Sequence, residues 1–211
     1  MDQKRVFTDI YNTNAWNGHW QTRDGYGSSL IYTQSIRASL MPFMRKWGTK
    51  TFLDASCGEC KWITALPWPP DINYIGGEIV EAKIERLKQE YPSTDFRVLD
   101  IISDPLPAAD MWMCRDTLFH FPFAAIYQTM LNFTNSNIKF LLLSHHPNGE
   151  NRDISFSDFF EMNVLKEPFN FPPPLDFIDD SYMPSGCPER QMYLYDRETI
   201  SRVLSEKKFV V

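Results

Sequence analysis

No run in this 211-residue chain approaches the roughly 18 consecutive apolar residues of a membrane span. The N-terminus, Met1-Asp2-Gln3-Lys4-Arg5, has no apolar core behind it, which argues against a secretory signal. A basic excess is missing too. Lys and Arg number 21 against 27 Asp and Glu, for a net charge of -6. That balance disfavours a dedicated nucleic-acid binder. Cysteine is scarce: Cys57, Cys60, Cys114 and Cys187. Cys57 and Cys60 form a C-x-x-C, but no second pair stands at metal-binding spacing. The four fit small apolar residues of a reducing compartment, and the expected location is cytoplasmic. There is no internal repeat, low-complexity tract or linker.

A glycine-rich phosphate loop is also absent. A dinucleotide site needs G-x-G-x-x-G after its first strand, so that a helix N-terminus can meet a pyrophosphate. Here Thr51-Phe52-Leu53-Asp54-Ala55-Ser56-Cys57-Gly58-Glu59 offers only Gly58, and Glu59 at the expected helix start would repel a pyrophosphate.

What is present is ordinary in bulk, with 43% hydrophobic and 23% charged residues, enough for one α/β core. Apolar runs and helical periodicity alternate from about 50 to 147. A helix is expected over 30–47, a strand over 51–54, and a short helix near 60–66 that Pro67, Pro69 and Pro70 stop. Next come a strand over 73–78, an amphipathic helix over 79–91 and a strand over 96–99. A strand over 111–114, a helix over 123–134 and a strand over 138–143 follow. This order predicts an α/β, Rossmann-like, doubly wound and mostly parallel sheet. Beyond it, an antiparallel strand at 192–194, a helix at 197–204 and a last strand at 209–211 would finish the edge.

Four acids close four expected strands: Asp54, Glu78, Asp100 and Asp116. Folding does not require such an array, because carboxylates gathered at one sheet edge repel unless they face water or a ligand. A carboxylate ending the second strand is placed to accept both hydroxyls of a ribose. The set resembles class I S-adenosylmethionine-dependent methyltransferases. The residues that carry the likeness are Phe52 to Gly58 with Trp62, Tyr74 to Glu78, Leu99-Asp100-Ile101, Asp110 with Cys114 to Asp116, and His120. The likeness extends outward through Gly25-Tyr26-Gly27-Ser28-Ser29 and Thr33, through Asn151-Arg152-Asp153, and through Pro168-Phe169 with Phe171 to Pro174. It points to small stand-alone enzymes of bacteria and large viruses, several of which act near glycan biosynthesis. The pattern departs from the family where Ser56 and Cys60 replace glycines.

The resemblance implies S-adenosyl-L-methionine as cofactor. Asp54, Ala55, Ser56, Gly58 and Trp62 would lie near its methionine part, with Gly27 and Ser28 close by. Glu78 would take the ribose, Asp100 and Ile101 the adenine, and Arg115 and Asp116 would face cofactor and acceptor. One methyltransferase domain would span 1–211: an N-terminal lid and helix over 1–48, a cofactor core over 49–147, and acceptor-side loops with a sheet edge over 148–211.

Transfer to a sugar hydroxyl requires a base. His145 and His146, expected just past the fifth strand, are the preferred candidates, with Asp116 or Asp153 orienting them; His120 follows the fourth strand. Asp116, His145, His146 and Asp153 could also ligate a divalent ion such as magnesium, but no spacing demands one, so no metal site is expected. Tyr11, Trp16, Trp20, Phe169 and Phe171 could stack on a sugar ring. The expected acceptor is a glycan or small polar molecule, with nucleic acid disfavoured. Two alternatives are a methyltransferase acting on nitrogen or carboxyl of a metabolite or nucleic acid, and a binding module that kept the fold. Arg115-Asp116-Thr117-Leu118 stands where an adenine methyltransferase of nucleic acids would show Asn/Asp-Pro-Pro-aromatic.

Overall fold

The computed structural model describes residues 2–16, 23–181 and 187–206. Trp20 and the strand expected at 209–211 lie outside them. Seven strands form one sheet in the order β3-β2-β1-β4-β5-β7-β6. They are β1 (Thr51–Ala55), β2 (Asn73–Glu78), β3 (Asp95–Val98), β4 (Met111–Cys114), β5 (Phe140–His145), β6 (Asp176–Asp179) and β7 (Gln191–Asp196). The first five pair in parallel, β7 runs antiparallel to β5, and β6 antiparallel to β7. The described helices are α1 (Gln3–Thr13), α2 (Gln34–Lys46), α3 (Glu81–Glu90), α4 (Phe123–Asn135) and α5 (Arg197–Glu206).

Both sheet faces are covered, and strand alternation explains how. Leu53 of β1 and Trp112 of β4 enter one apolar cluster with Phe133 and Tyr195. Their neighbours Phe52, Met111 and Met113 enter the opposite cluster with Ile36, Leu40 and Leu87. The strand order reverses between β1 and β4, and in such sheets the ligand crevice opens beyond the carboxyl ends of the strands there.

The expected parallel core stands with small shifts of boundary. Elsewhere the structure differs. No helix occupies 60–66: the chain runs as successive turns, and Cys60 adopts φ 57. Pro67 leaves too little length for a helix to propagate. The helix expected from residue 30 begins at Gln34, so Leu30 and Ile31 sit in the preceding turns and face solvent, 51% and 61% exposed. Helix α1 was hidden in a segment that reads as polar and aromatic. Its Asp2 cap accepts from the Lys4 amide at 3.1 Å, and it turns Phe7 and Tyr11 toward the sheet end. Strand β6 was missed because Leu175 to Asp179 follows a proline run and mixes acids with apolar residues.

Candidate active site

A cavity of about 460 Å³ opens at the carboxyl ends of β1, β2 and β4, a size typical of small-molecule sites. Strand β1 delivers Asp54, and the turn after it delivers Ser56, Cys57 and Gly58. Strand β2 delivers Glu78, followed by Ile79. The end of β4 brings Arg115 and Asp116, and the short 3-10 turn at Leu118–His120 brings His120. From outside the sheet, α1 and the Gly25–Ser28 segment close the front.

The floor is charged and tightly bonded. Glu78 Oε1 accepts from the backbone amides of Ile79 at 2.8 Å and Val80 at 3.2 Å. Its Oε2 lies 3.5 Å from Lys83 Nζ, which donates to Asp24 Oδ1 at 2.5 Å. Burial pulls the Lys83 ammonium down, but Glu78 and Asp24 outweigh it and hold the ammonium above its ordinary value. Asp54 is buried beside this floor. Burial pushes its carboxyl up to about 7, although the Tyr74 hydroxyl donates to it at 2.8 Å and Arg115 attracts its charged form.

The wall opposite is an ion quartet. Arg115 Nε donates to Asp180 Oδ2 at 2.9 Å, and Arg115 Nη1 stands 3.1 Å from Asp116 Oδ2. Arg190 closes the square, with Nη2 2.8 Å from Asp180 and an ion pair to Asp116. Burial pushes the Asp116 carboxyl up, but the two arginines outweigh it and hold it below the usual range. Asp116 adopts φ 54, a left-handed conformation uncommon for a residue with a side chain. Gly27 packs directly over it: a Cβ there would lie 2.5 Å from Asp116 Oδ2. Arg115 also faces the Trp62 ring at 5.2 Å.

The outer part is aromatic. Trp16 stacks on His120 at 4.9 Å with 28° between planes, and Phe119 and Phe159 meet the same imidazole edge-on or tilted. Phe159 packs against Phe119, His120 and His146 and is 43% exposed at this rim.

The cavity thus gathers Asp54, Ser56, Gly58, Trp62, Glu78, Arg115, Asp116, Gly27 and Ser28. It does not gather Ala55, Asp100, Ile101, Asp153, His145 or His146. Ala55 is fully buried, and its carbonyl accepts from Trp112 Nε1 at 2.8 Å. Asp100 serves its own turn, accepting from the Ile102 amide at 2.9 Å and Ser103 Oγ at 3.1 Å. Ile101 belongs to the apolar core. Asp153 binds the Phe123 amide at 2.8 Å at the start of α4. His145 is the last residue of β5, fully buried, stacked on Tyr193 at 4.0 Å, and its Nδ1 accepts from the Val164 amide at 3.2 Å. His146 is buried against Phe119 and Phe159 and does not line the cavity. Phe169 and Phe171 are core residues rather than rim, whereas Tyr11 and Trp16 do face the cavity.

Glu59 also behaves differently from expectation. No helix starts there, and its carboxylate turns to Arg86 at 2.8 Å and to the Arg23 amide at 3.0 Å. The case against a phosphate-bearing ligand therefore rests on the missing glycine motif and missing helix N-terminus. Lys83, Asp180 and Arg190 were not foreseen. The signal for the last two was indirect: a buried Arg115-Asp116 at a strand end needs partners. Among the described residues no group of three or more His, Cys, Asp or Glu is arranged to hold a metal. None of the described helices is long and apolar enough to cross a membrane.

Known family models give no match to the sequence, and curated proteins of known function give none either. Solved structures do match. Magnesium protoporphyrin IX methyltransferase from Synechocystis PCC 6803, with bound S-adenosylmethionine, has a TM-score of 0.59 at 15% identity, covering 93% of this chain and 98% of that one. The N-methyltransferase NodS from Bradyrhizobium japonicum WM9 has a TM-score of 0.58 at 10% identity, covering 78% and 96%. Human N-acetylserotonin methyltransferase has a TM-score of 0.53 at 15% identity, covering 92% and 59%. At such identities the likeness establishes a shared fold, the Rossmann-like fold of these methyltransferases.

Proposed function

We propose that the chain is an S-adenosylmethionine-dependent methyltransferase that methylates a hydroxyl, that of a sugar in a glycan. The observation that carries this reading is the position of Glu78. Its carboxylate ends β2, lines the cavity and is anchored by two backbone amides. That is where a carboxylate can accept from vicinal ribose hydroxyls.

The other residues fit the same ligand. Ile79, Phe7 and Phe121 line the cavity and suit an adenine face. Asp54 suits an ammonium group, and Gly58 and Gly27 line the same space, leaving room there for the Asp24 and Asp116 carboxylates. Such a cofactor, when bound, supplies an electrophilic methyl group. The chain's own work is to orient the acceptor, exclude water and receive its proton. Helix α1 and the Gly25–Ser28 segment cover the site, and the Trp16, Phe119 and Phe159 rings offer faces for a sugar. Of the described cations lining the cavity, Lys83, Arg115 and Arg190 are paired with carboxylates and Arg23 lies over the Tyr11 ring, which supports a neutral polar acceptor over a nucleic-acid backbone.

Calorimetry with S-adenosylmethionine and S-adenosylhomocysteine tests the reading, followed by turnover of labelled cofactor on oligosaccharides, small metabolites and RNA. Binding of both cofactor forms, with label transferred to an oligosaccharide, is expected. Absence of binding by either sinks the reading. Label appearing on a metabolite nitrogen or on RNA overturns the sugar acceptor alone.

A further inference from the structure

We propose that His120 is the general base, presented to the acceptor hydroxyl by the backbone carbonyl of Asp158. The proposal rests on the reading that this cavity performs methyl transfer to oxygen.

Of the three described histidines, only His120 lines the cavity. Its Nδ1 is 2.8 Å from the Asp158 carbonyl oxygen. A carbonyl can only accept, so Nδ1 carries the proton and Nε2 keeps its lone pair. No hydrogen bond engages Nε2 among the described residues. The stacked Trp16 and the flanking Phe119 and Phe159 hold the ring plane, so the lone pair keeps one direction. This is the arrangement by which a third group orients a catalytic imidazole, with a peptide carbonyl in the place of a carboxylate.

The charge environment agrees. Burial lowers the His120 pKa, while the Asp158 carbonyl and the Asp116 carboxylate oppose the shift. The groups facing it that bear or can gain charge are Asp116 at the end of β4 and His146 after β5; its remaining ring neighbours are uncharged. The imidazole is therefore neutral near pH 7, and Asp116 stabilises the imidazolium that proton capture creates. In the step itself, the acceptor oxygen forms its bond to the methyl carbon as the carbon–sulfur bond breaks. The sulfur keeps that electron pair, and the hydroxyl proton passes to Nε2. His145 cannot take this part, because its Nδ1 is engaged as acceptor and the ring is sealed beneath Tyr193.

The test uses the full chain labelled with 15N-histidine. The probes are S-adenosylhomocysteine and an analogue in which an amine-bearing carbon replaces the sulfonium and its methyl. The analogue places a cationic amine where the methyl would be, one acceptor oxygen away from Nε2, so its charge should lower the His120 pKa and move the Nε2 resonance, and S-adenosylhomocysteine should do so much less. The His120→Gln variant assigns the signal. Binding of both probes by calorimetry with no difference at Nε2 overturns the proposal and leaves the cofactor reading intact. Failure of both probes to bind removes that reading as well. In turnover, His120→Gln should lose about 100-fold or more in kcat, as general-base removal does, with cofactor affinity within about twofold. A fully active variant overturns the proposal. Should the variant fold poorly, the probe comparison on the unmodified chain decides.

Discussion

Lys83 Nζ lies 2.5 Å from Asp24 Oδ1, a contact that ties the segment before α2 to helix α3 across the cavity floor. The second oxygen of Asp24 accepts the backbone amide of Glu59, so one carboxylate joins the N-terminal segment, the turn after β1 and α3. Lys83 is also 3.5 Å from Glu78. One ammonium therefore serves the lid and the carboxylate assigned to the ribose.

Replacing Lys83 by Met should be costly. Asp24 and Glu78 would lose the ammonium they share, and breaking a buried pair costs about 3–5 kcal/mol. Equilibrium unfolding in urea measures the loss. Adding Asp24→Asn should restore part of it, since one of the two carboxylates that lost the ammonium is then neutral. Costs that simply add would show that the contact does not couple the two segments.

The central sheet was legible because β1, β4 and β5 are short apolar runs with an acid or polar stop, and parallel strands buried on both faces read that way. The cavity's inner residues followed from strand ends. What could not be read is side-chain direction beyond those ends. Asp100 and Asp116 look alike in sequence, yet one bonds its own turn and the other meets its neighbour Arg115 and the distant Arg190. His145 and His120 divide likewise. The fifth strand runs two residues further than its apolar pattern, which carries His145 into the sheet. A 3-10 turn after β4 carries His120 to the rim. The aromatic pairing that picks out His120 joins residue 16 to residue 120, beyond any local pattern.

Asp54 should make cofactor binding pH-dependent. Its folded-state pKa of about 7 stands well above the usual value near 3.9, so at pH 6.5 it is mostly protonated. A ligand ammonium beside it favours the charged form, and binding at that pH should release about three-quarters of a proton. Affinity for S-adenosylhomocysteine should rise from pH 6 to 8. Calorimetry in buffers of different ionisation enthalpy counts the proton. Asp54→Asn should abolish both the release and the pH trend; persistence of either would move the linkage to another group.

The same carboxyl and the two buried histidines act on stability with opposite sign. Burial depresses His145 and His146 to about 4, below the unfolded value near 6.5. Between those values the unfolded chain binds more protons, so their contribution is complete above pH 6.5 and is lost as pH falls toward 4. Asp54 is raised, so its contribution is complete near pH 4 and is lost as pH rises toward 7. The two trends offset across pH 4–6.5, and the net acid limb should be shallow. Asp54→Asn should steepen it, and His145→Gln, whose amide oxygen can still accept from Val164, should flatten it. Each histidine bears on up to about 3 kcal/mol by its shift. Urea midpoints from pH 4.5 to 7.5 decide, and identical slopes in all three proteins would exclude these groups as the source.

The quartet behind Asp116 makes an asymmetric prediction. Arg190 is buried between two carboxylates and also covers the Tyr32 ring at 4.6 Å. Arg190→Met leaves two acids sharing Arg115 alone, and about 3–5 kcal/mol should be lost. Asp180→Asn should cost less. Burial already outweighs the arginines at Asp180 and pushes its carboxyl up, so a neutral amide of the same shape replaces a charge the site holds reluctantly. Arg190→Lys should behave more like the methionine variant, because a single ammonium cannot span Asp116 and Asp180 as the planar guanidinium does. A double-mutant cycle over Arg190 and Asp180 should give a coupling of about 1–3 kcal/mol. If Asp180→Asn proved as damaging as Arg190→Met, the negative charge on Asp180 would be essential. The quartet would then be a device for holding Arg115 and Asp116 at the cavity wall, with the charge on Asp180 as its anchor.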